Sequence, residues 1–382
     1  MSSCLSTAAP PFTADSLNSS SRRRNDVLPY EILSAIFSYI SHDHILHLRH
    51  LLSVCRSWSL VILQDAELWS SIRVDYELYQ HFGAYGGVSN AQAAIFLSLC
   101  ISRSRSHPLS IILDFSAFPD WSNLVKRGLR LNLIPLLGIL VGHQDQHALR
   151  WHTLECHDLS FVSEIISILP PHLPQLKCLR LYGFQWDVRK EPMFLRFPNL
   201  EVVELHDLEE YERHLLSECH SNTVKELLIE NERVWGFDDV CYIAGFRSVH
   251  RLTLISSLRA DFRTEDPEKI HLPQLKDLRL LGYIPENLVS LLSAPSLSKV
   301  EFDHYESIFS VLSHLVSTDI ETIAILNPPD SWLPPHAVID LVASLHGLRT
   351  LRVKRWIYDV ITAGDSPLST STISGLRLVI ED

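Results

Sequence analysis

After a polar, Ser-rich lead, apolar residues begin to recur with a helical period. Ile32, Leu33, Ile36, Phe37 and Ile40 share one side of a helix beginning near Pro29. Pro29 suits a first helical turn, and Glu31 complements the positive end of the helix dipole. Two more helical segments come next: Ile45, Leu48, Leu51 and Leu52 within 42–58, then Val54, Trp58, Val61, Ile62, Leu68 and Trp69 within 54–72. Roughly 45 residues of short helices are too few for a self-sufficient core. Their apolar faces outnumber what they can cover among themselves, which predicts a protein–protein contact.

Further along, the pattern predicts a Gly-rich loop around GAYGG, a helix over 91–104, a strand over 108–115 and helices over 121–140 interrupted at Pro135. From residue 149 one pattern returns, apolar at its first, fourth and sixth positions. It begins as LRWHTL (149–154), LKCLRL (176–181), LEVVEL (200–205), VKELLI (224–229) and VHRLTL (249–254). It goes on as LKDLRL (275–280), LSKVEF (297–302), IETIAI (320–325), LRTLRV (348–353) and ISGLRL (373–378), at intervals of 22 to 28 residues. That motif and period are the signature of leucine-rich repeats, in which a strand alternates with a helical or irregular return. FVSEIISIL, ENLVSLLSA, YESIFSVLSHLV and HAVIDLVASL read as such returns. The rival is a doubly wound sheet, whose covered strands would be apolar on both faces. Here one face of nearly every strand is polar, which favours a solenoid. Position nine, often Asn or Cys in such repeats, is Phe184, Leu208, Glu232, Ser257, Tyr283, Tyr305, Pro328 and Trp356.

The second, third, fifth and seventh positions should face outward. They include Arg180, Tyr182, Glu201, Glu204, Glu226, Glu230, Arg251, Lys276, Arg279, Lys299, Glu301, Arg349, Arg352 and Lys354. Residues 201–232 hold ten acidic and two basic side chains, whereas 348–354 is basic. This predicts a candidate target-binding face with an acidic middle and a basic end, a solvated face being the plain alternative.

The 382 residues are 46% hydrophobic and carry a net charge of −12, which suits a sizeable core and argues against nucleic acid as main partner. No apolar run reaches bilayer-spanning length and no signal-peptide pattern stands at the start, so the expected location is cytoplasm and/or nucleus. Arg22–Arg24 could weakly signal nuclear import. The seven scattered cysteines (4, 55, 100, 156, 178, 219, 241) form no C-x-x-C pair and read as reduced, mostly buried thiols. His42, His44, His47 and His50 allow a metal site on paper, but without a matching acidic or thiol ligand they read as a solvated helix face. No Walker loop, G-x-S-x-G elbow, H-E-x-x-H helix or dinucleotide fingerprint is present, so no enzyme and no cofactor is expected.

LPxEILxxIFxxI, then VCRSW, then DAELW resembles an F-box, the helical module that docks on the Skp-type adaptor of cullin ubiquitin ligases. The stretch between Ile40 and Val54 is about three residues longer than is usual in that family. The resemblance implies adaptor contacts from Leu28, Pro29, Ile32, Leu33, Ile36 and Phe37, with Val54, Cys55, Trp58, Leu68 and Trp69 completing the module. The order of a helix and then PLSIILDF resembles the start of the substrate domain in many fungal F-box proteins. The expected fold is α/β: an N-terminal three-helix F-box followed by a leucine-rich-repeat-like α/β solenoid. Its expected parts are a disordered tail (1–24), the F-box (25–73), connecting helices and a first strand (74–145) and the solenoid (146–382). The function implied is a substrate-recognition subunit of a Skp–cullin–F-box ligase. Partners would be the adaptor, through it a cullin, and a protein target, with no nucleic acid or membrane. An adaptor-binding scaffold without ubiquitylation, or a repeat protein with a helical cap, would share these features.

Overall fold

The computed structural model describes residues 28–82, 90–116, 135–157, 170, 172–182, 197–207, 222–231, 235, 242–257, 269–303, 308, 311, 320–326, 345, 347–363 and 376–381. The tail, the GAYGG loop, the return at 161–169 and most of those at 305–316 and 336–345 lie outside these residues. So do positions nine at 184, 208, 232, 305 and 328.

Three helices open the chain: α1 (Tyr30–Asp43), α2 (His47–Leu52) and α3 (Arg56–Gln64). A 3-10 turn at Glu67–Trp69 leads into β1 (Ser71–Asp75), α4 (Tyr76–His81), α5 (Asn90–Arg103) and β2 (Leu109–Asp114). Pro135 begins a short helix over 135–141, a first-turn position where its missing N–H has no intrahelical partner to lose. The next strands are β3 (Trp151–His157), β4 (Cys178–Tyr182), β5 (Val202–His206), β6 (Glu226–Asn231) and β7 (Arg251–Ser256). After them come β8 (Ile270–His271), β9 (Asp277–Gly282), β10 (Leu292–Ser293), β11 (Lys299–Asp303), β12 (Thr322–Ile325), β13 (Thr350–Lys354) and β14 (Arg377–Glu381).

Twelve of these form one parallel sheet in the order β1-β2-β3-β4-β5-β6-β7-β9-β11-β12-β13-β14, while β8 and β10 make a separate pair. The order never reverses, so the fold is a solenoid and not a doubly wound sheet. Register explains the repeat pattern. The fourth-position row runs from Ile72 through Ile111, Leu154, Leu179, Val203 and Leu227 to Leu252, Leu278, Val300, Ile323, Leu351 and Leu378, which corrects the two end copies: Leu154 and Leu378 are the sixth residues of LRWHTL and ISGLRL, so the frame there lies two residues later than the sequence reading. The sixth positions form a parallel row, and both rows point into a core that is continuous from Leu33 to Ile357. Each strand covers only its neighbours' apolar edges, so stability accumulates repeat by repeat.

The sheet starts earlier than the sequence pattern suggested. β1 begins within the stretch assigned to the helical module (25–73), and β1 and β2 extend the array ahead of LRWHTL. Trp69, Ile72 and Val74 carry the same one-four-six spacing and are all buried. Among the described residues, no helix is long and apolar enough to cross a membrane.

Gly282 closes β9 with φ +78°, and a Cβ there would sit 2.0 Å from the carbonyl oxygen of Ser256, which accepts the Tyr283 N–H at 2.9 Å. Left-handed strain alone costs about 1–3 kcal/mol for a residue with a Cβ, and the backbone clash adds to it. Gly282→Ala should therefore lower the chemical-denaturation midpoint by more than any exposed-surface alanine substitution. A midpoint within error of wild type would contradict this.

Candidate functional site

Helix α1 is apolar on two sides, and the structure separates them. Leu33 and Phe37 are buried, Phe37 packing edge-on to Trp58 at 5.1 Å. Ile32 and Ile36, four residues apart, point to solvent at 49% and 42% exposure, and Leu28, two residues ahead of the helix, is 50% exposed. Tyr30 and Tyr39 on α1, Val54 before α3 and Leu60 on it are exposed too. Single exposed apolar residues are ordinary, but a row of them on one ordered helix marks a contact surface. The opening of α1 is fixed by the Leu33 N–H on the Pro29 carbonyl at 3.1 Å and by Ser34 hydrogen-bonded to Asp65 at the end of α3.

The implied adaptor contacts therefore divide. Leu28, Pro29, Ile32, Ile36, Val54 and Cys55 are exposed and Trp58 is half-buried. Leu33, Phe37, Leu68 and Trp69 are buried in the chain's own core at 3% exposure or less and support the outer row from behind. The reason is the joint with the sheet. Trp69 donates its indole N–H to the Ile62 carbonyl at 2.7 Å, fixing α3 against the turn that enters β1. Tyr30, Tyr39 and Leu60 were missed by sequence reasoning, although Tyr39 lies three residues past Ile36 and so carries a helical-period signal.

The histidine stretch also departs from expectation. His44, which caps α1, is buried, and its Nε2 lies 3.2 Å from Asp75 Oδ1 while Nδ1 accepts the Leu46 N–H at 3.0 Å. Asp75 also caps α4 by accepting the Leu78 N–H at 2.9 Å. His44, Asp75 and Glu77 lie close enough together to suggest a metal site. With Nδ1 already accepting, however, neutral His44 carries its proton on Nε2 and donates to Asp75, so no lone pair is left for a cation. The pair is a bolt between the helical block and the sheet.

Burial alone would raise the Asp75 carboxyl, but His44, the Leu78 N–H and Arg73 outweigh it and hold it below the ordinary range. Asp114 is lowered in the same way, burial being outweighed by Ser116 and Arg73. Glu155 is lowered chiefly by His157, against burial. Lowered carboxyls contribute stability that is complete above the unfolded value, about 4, and is lost as pH falls through the folded value. Unfolding free energy should thus hold steady from these groups down to about pH 4 and then drop. Asp75→Asn should flatten that acid limb and cost about 1–3 kcal/mol at neutral pH, as urea titrations across pH would read. An unchanged acid limb would contradict the assignment.

The outward face of the sheet is built from rows that cross the strands. One row runs Glu155, Arg180, Glu204, Leu228, Thr253, Arg279, Glu301, Ala324 and Arg352. The next contains His157, Tyr182 and His206, whose rings stack at centroid distances of 4.1 Å, and then Glu230. Arg180 reaches Glu204 at 2.9 Å and Glu155 at 3.4 Å, and Arg251 reaches Glu226 at 3.1 Å and Asp277 at 3.3 Å. Lys299 bridges Asp277 and Glu301, Arg279 lies near Glu301, and Lys225 is 3.5 Å from Glu201. His206 meets Glu230, Arg349 meets Glu321, and Arg352 meets Glu381, while Lys354 pairs in register with Glu381. Among the described residues, acids and bases of this face thus answer one another across strands. Burial pushes the half-buried Cys178 thiol up to about 11, and raises Cys100 and Cys156 well above the ordinary thiol range.

Residues 26–75 match the family described as F-box-like, a span that takes in the three helices, the Trp69 turn and β1. No curated protein matches the chain. The protein therefore carries an F-box-like domain at residues 26–75, followed by a solenoid built on parallel strands.

Proposed function

We propose that the protein is the substrate-recognition subunit of a Skp–cullin–F-box ubiquitin ligase. Leu28, Ile32 and Ile36 dock the adaptor, with Val54 and Cys55 beside them, and the open face of the sheet holds a protein target. The observation that carries the reading is the exposed row on α1, which lies within the span matched to F-box-like proteins. A helical cap alone accounts for the buried Leu33 and Phe37 but leaves that outer row without a purpose. The mechanism is proximity: holding a target lysine near a charged conjugating enzyme raises its effective concentration, and no residue of this chain performs the transfer. The full chain, co-expressed with a Skp-type adaptor, should elute as a one-to-one complex. Soluble protein that elutes alone would overturn the reading, and a captured adaptor without any target stabilised by proteasome inhibition would reduce the role to a scaffold.

A further inference from the structure

We propose that the free edge of β14 pairs with the same edge of a second copy of this chain, forming an antiparallel dimer centred on Val379. At one end β1 lies against α4 and the Trp69 turn. At the other, β14 pairs with β13 and touches the helix Arg355–Ala363, and among the described residues no strand pairs with its outer edge. None of its five residues is buried, in contrast to the strands before it. Ile380 is 43% exposed although its row neighbour Val353 is fully covered. An exposed apolar edge of this kind is a template for another strand.

The backbone says which groups are free. Arg377 donates its N–H toward β13, to the Arg349 carbonyl at 2.8 Å. Successive residues of a parallel strand turn their backbone groups to opposite sides, so Val379 and Glu381 also face β13. Leu378 and Ile380 turn theirs to the open edge. In an antiparallel pair about Val379, Leu378 stands opposite Ile380 of the copy and exchanges both N–H···O bonds with it, and symmetry repeats the exchange. All four free groups are then satisfied.

The side chains agree with the same register. Leu378 and Ile380 continue the two core rows of the sheet, so each core row of one copy runs into a core row of the other. On the outward face Arg377 meets Glu381 of the copy, twice. Arg352 places both of its bonds on Glu381 Oε1. Parallel pairing in register would set like charges together and leave an open, unclosed assembly, whereas the antiparallel pair closes on itself.

The test is sedimentation of the full chain over a roughly hundredfold concentration range. Wild type should show a monomer–dimer equilibrium. Arg377→Glu and Glu381→Arg should each weaken the homodimer roughly tenfold or more, since two like-charge pairs arise in each. Mixing the two variants should restore a dimer, because every pair is then complementary. Ile380→Pro should weaken the dimer with no change in the thermal midpoint, since the N–H it removes faces the open edge. A wild-type monomer throughout, a dimer indifferent to these variants, or a mixture that fails to recover would each overturn the proposal.

Discussion

Ile32→Glu/Ile36→Glu should abolish adaptor capture while leaving the thermal midpoint of the chain within a degree or so. Both side chains already meet water, at 49% and 42% exposure, so the folded chain loses little when they become charged. In the proposed complex they are covered. Full burial of an isoleucine contributes about 1.5–3 kcal/mol; with about half of each left to cover, the two together account for roughly that amount, about 10–10²-fold in affinity, before the cost of burying carboxylates. Phe37→Ala is the contrasting control. It empties a fully buried site beside Trp58 and should cost about 3–5 kcal/mol of stability, so any lost capture there would come with a lowered midpoint. Titration calorimetry against purified adaptor separates the two. If the double variant binds within threefold of wild type, the docking face is not α1.

How much of this was legible in the sequence depends on which information each feature needs. The period of α1 was visible, but its direction was not. A helix apolar at 32, 33, 36 and 37 has two candidate inner faces, and only the position of Trp58 and Trp69 behind it decides between them. The repeat phase was visible from LKCLRL to LRTLRV because in-register parallel pairing preserves the one-four-six rule from strand to strand, whereas LRWHTL and ISGLRL, each flanked by further apolar residues, were read two residues too early. β1 escaped because its five residues come directly after a helical motif, although Trp69, Ile72 and Val74 obey that rule. Charge pairing escaped for a different reason. Counting acids along 201–232 measures charge along the chain, whereas Arg180 meets Glu155 and Glu204 across it, some 25 residues away in either direction. His44 escaped because its partner, Asp75, lies 31 residues on and beyond the helical motif.

The second large effect expected is at the joint between the two parts. Trp69→Ala removes an indole that is 1% exposed and leaves the Ile62 carbonyl without its 2.7 Å donor. Loss of a buried Trp costs about 3–5 kcal/mol, and Trp69→Phe, which keeps most of the bulk, should cost about 1–2 kcal/mol for the hydrogen bond. The core is continuous from the helices into the sheet, yet each strand touches only its neighbours. In such an array a defect at one end is felt through nearest-neighbour interfaces and decays along the stack. Hydrogen exchange should therefore accelerate in α1, α3, β1 and β2 of Trp69→Ala, while amides of β9, β11 and β12 keep wild-type protection. Adaptor capture should weaken in step with opening of the helical block, unlike the loss in Ile32→Glu/Ile36→Glu, where exchange stays unchanged. Uniform acceleration through β13 would instead mean that helices and repeats unfold as one cooperative unit, and that the docking surface is as stable as the whole chain.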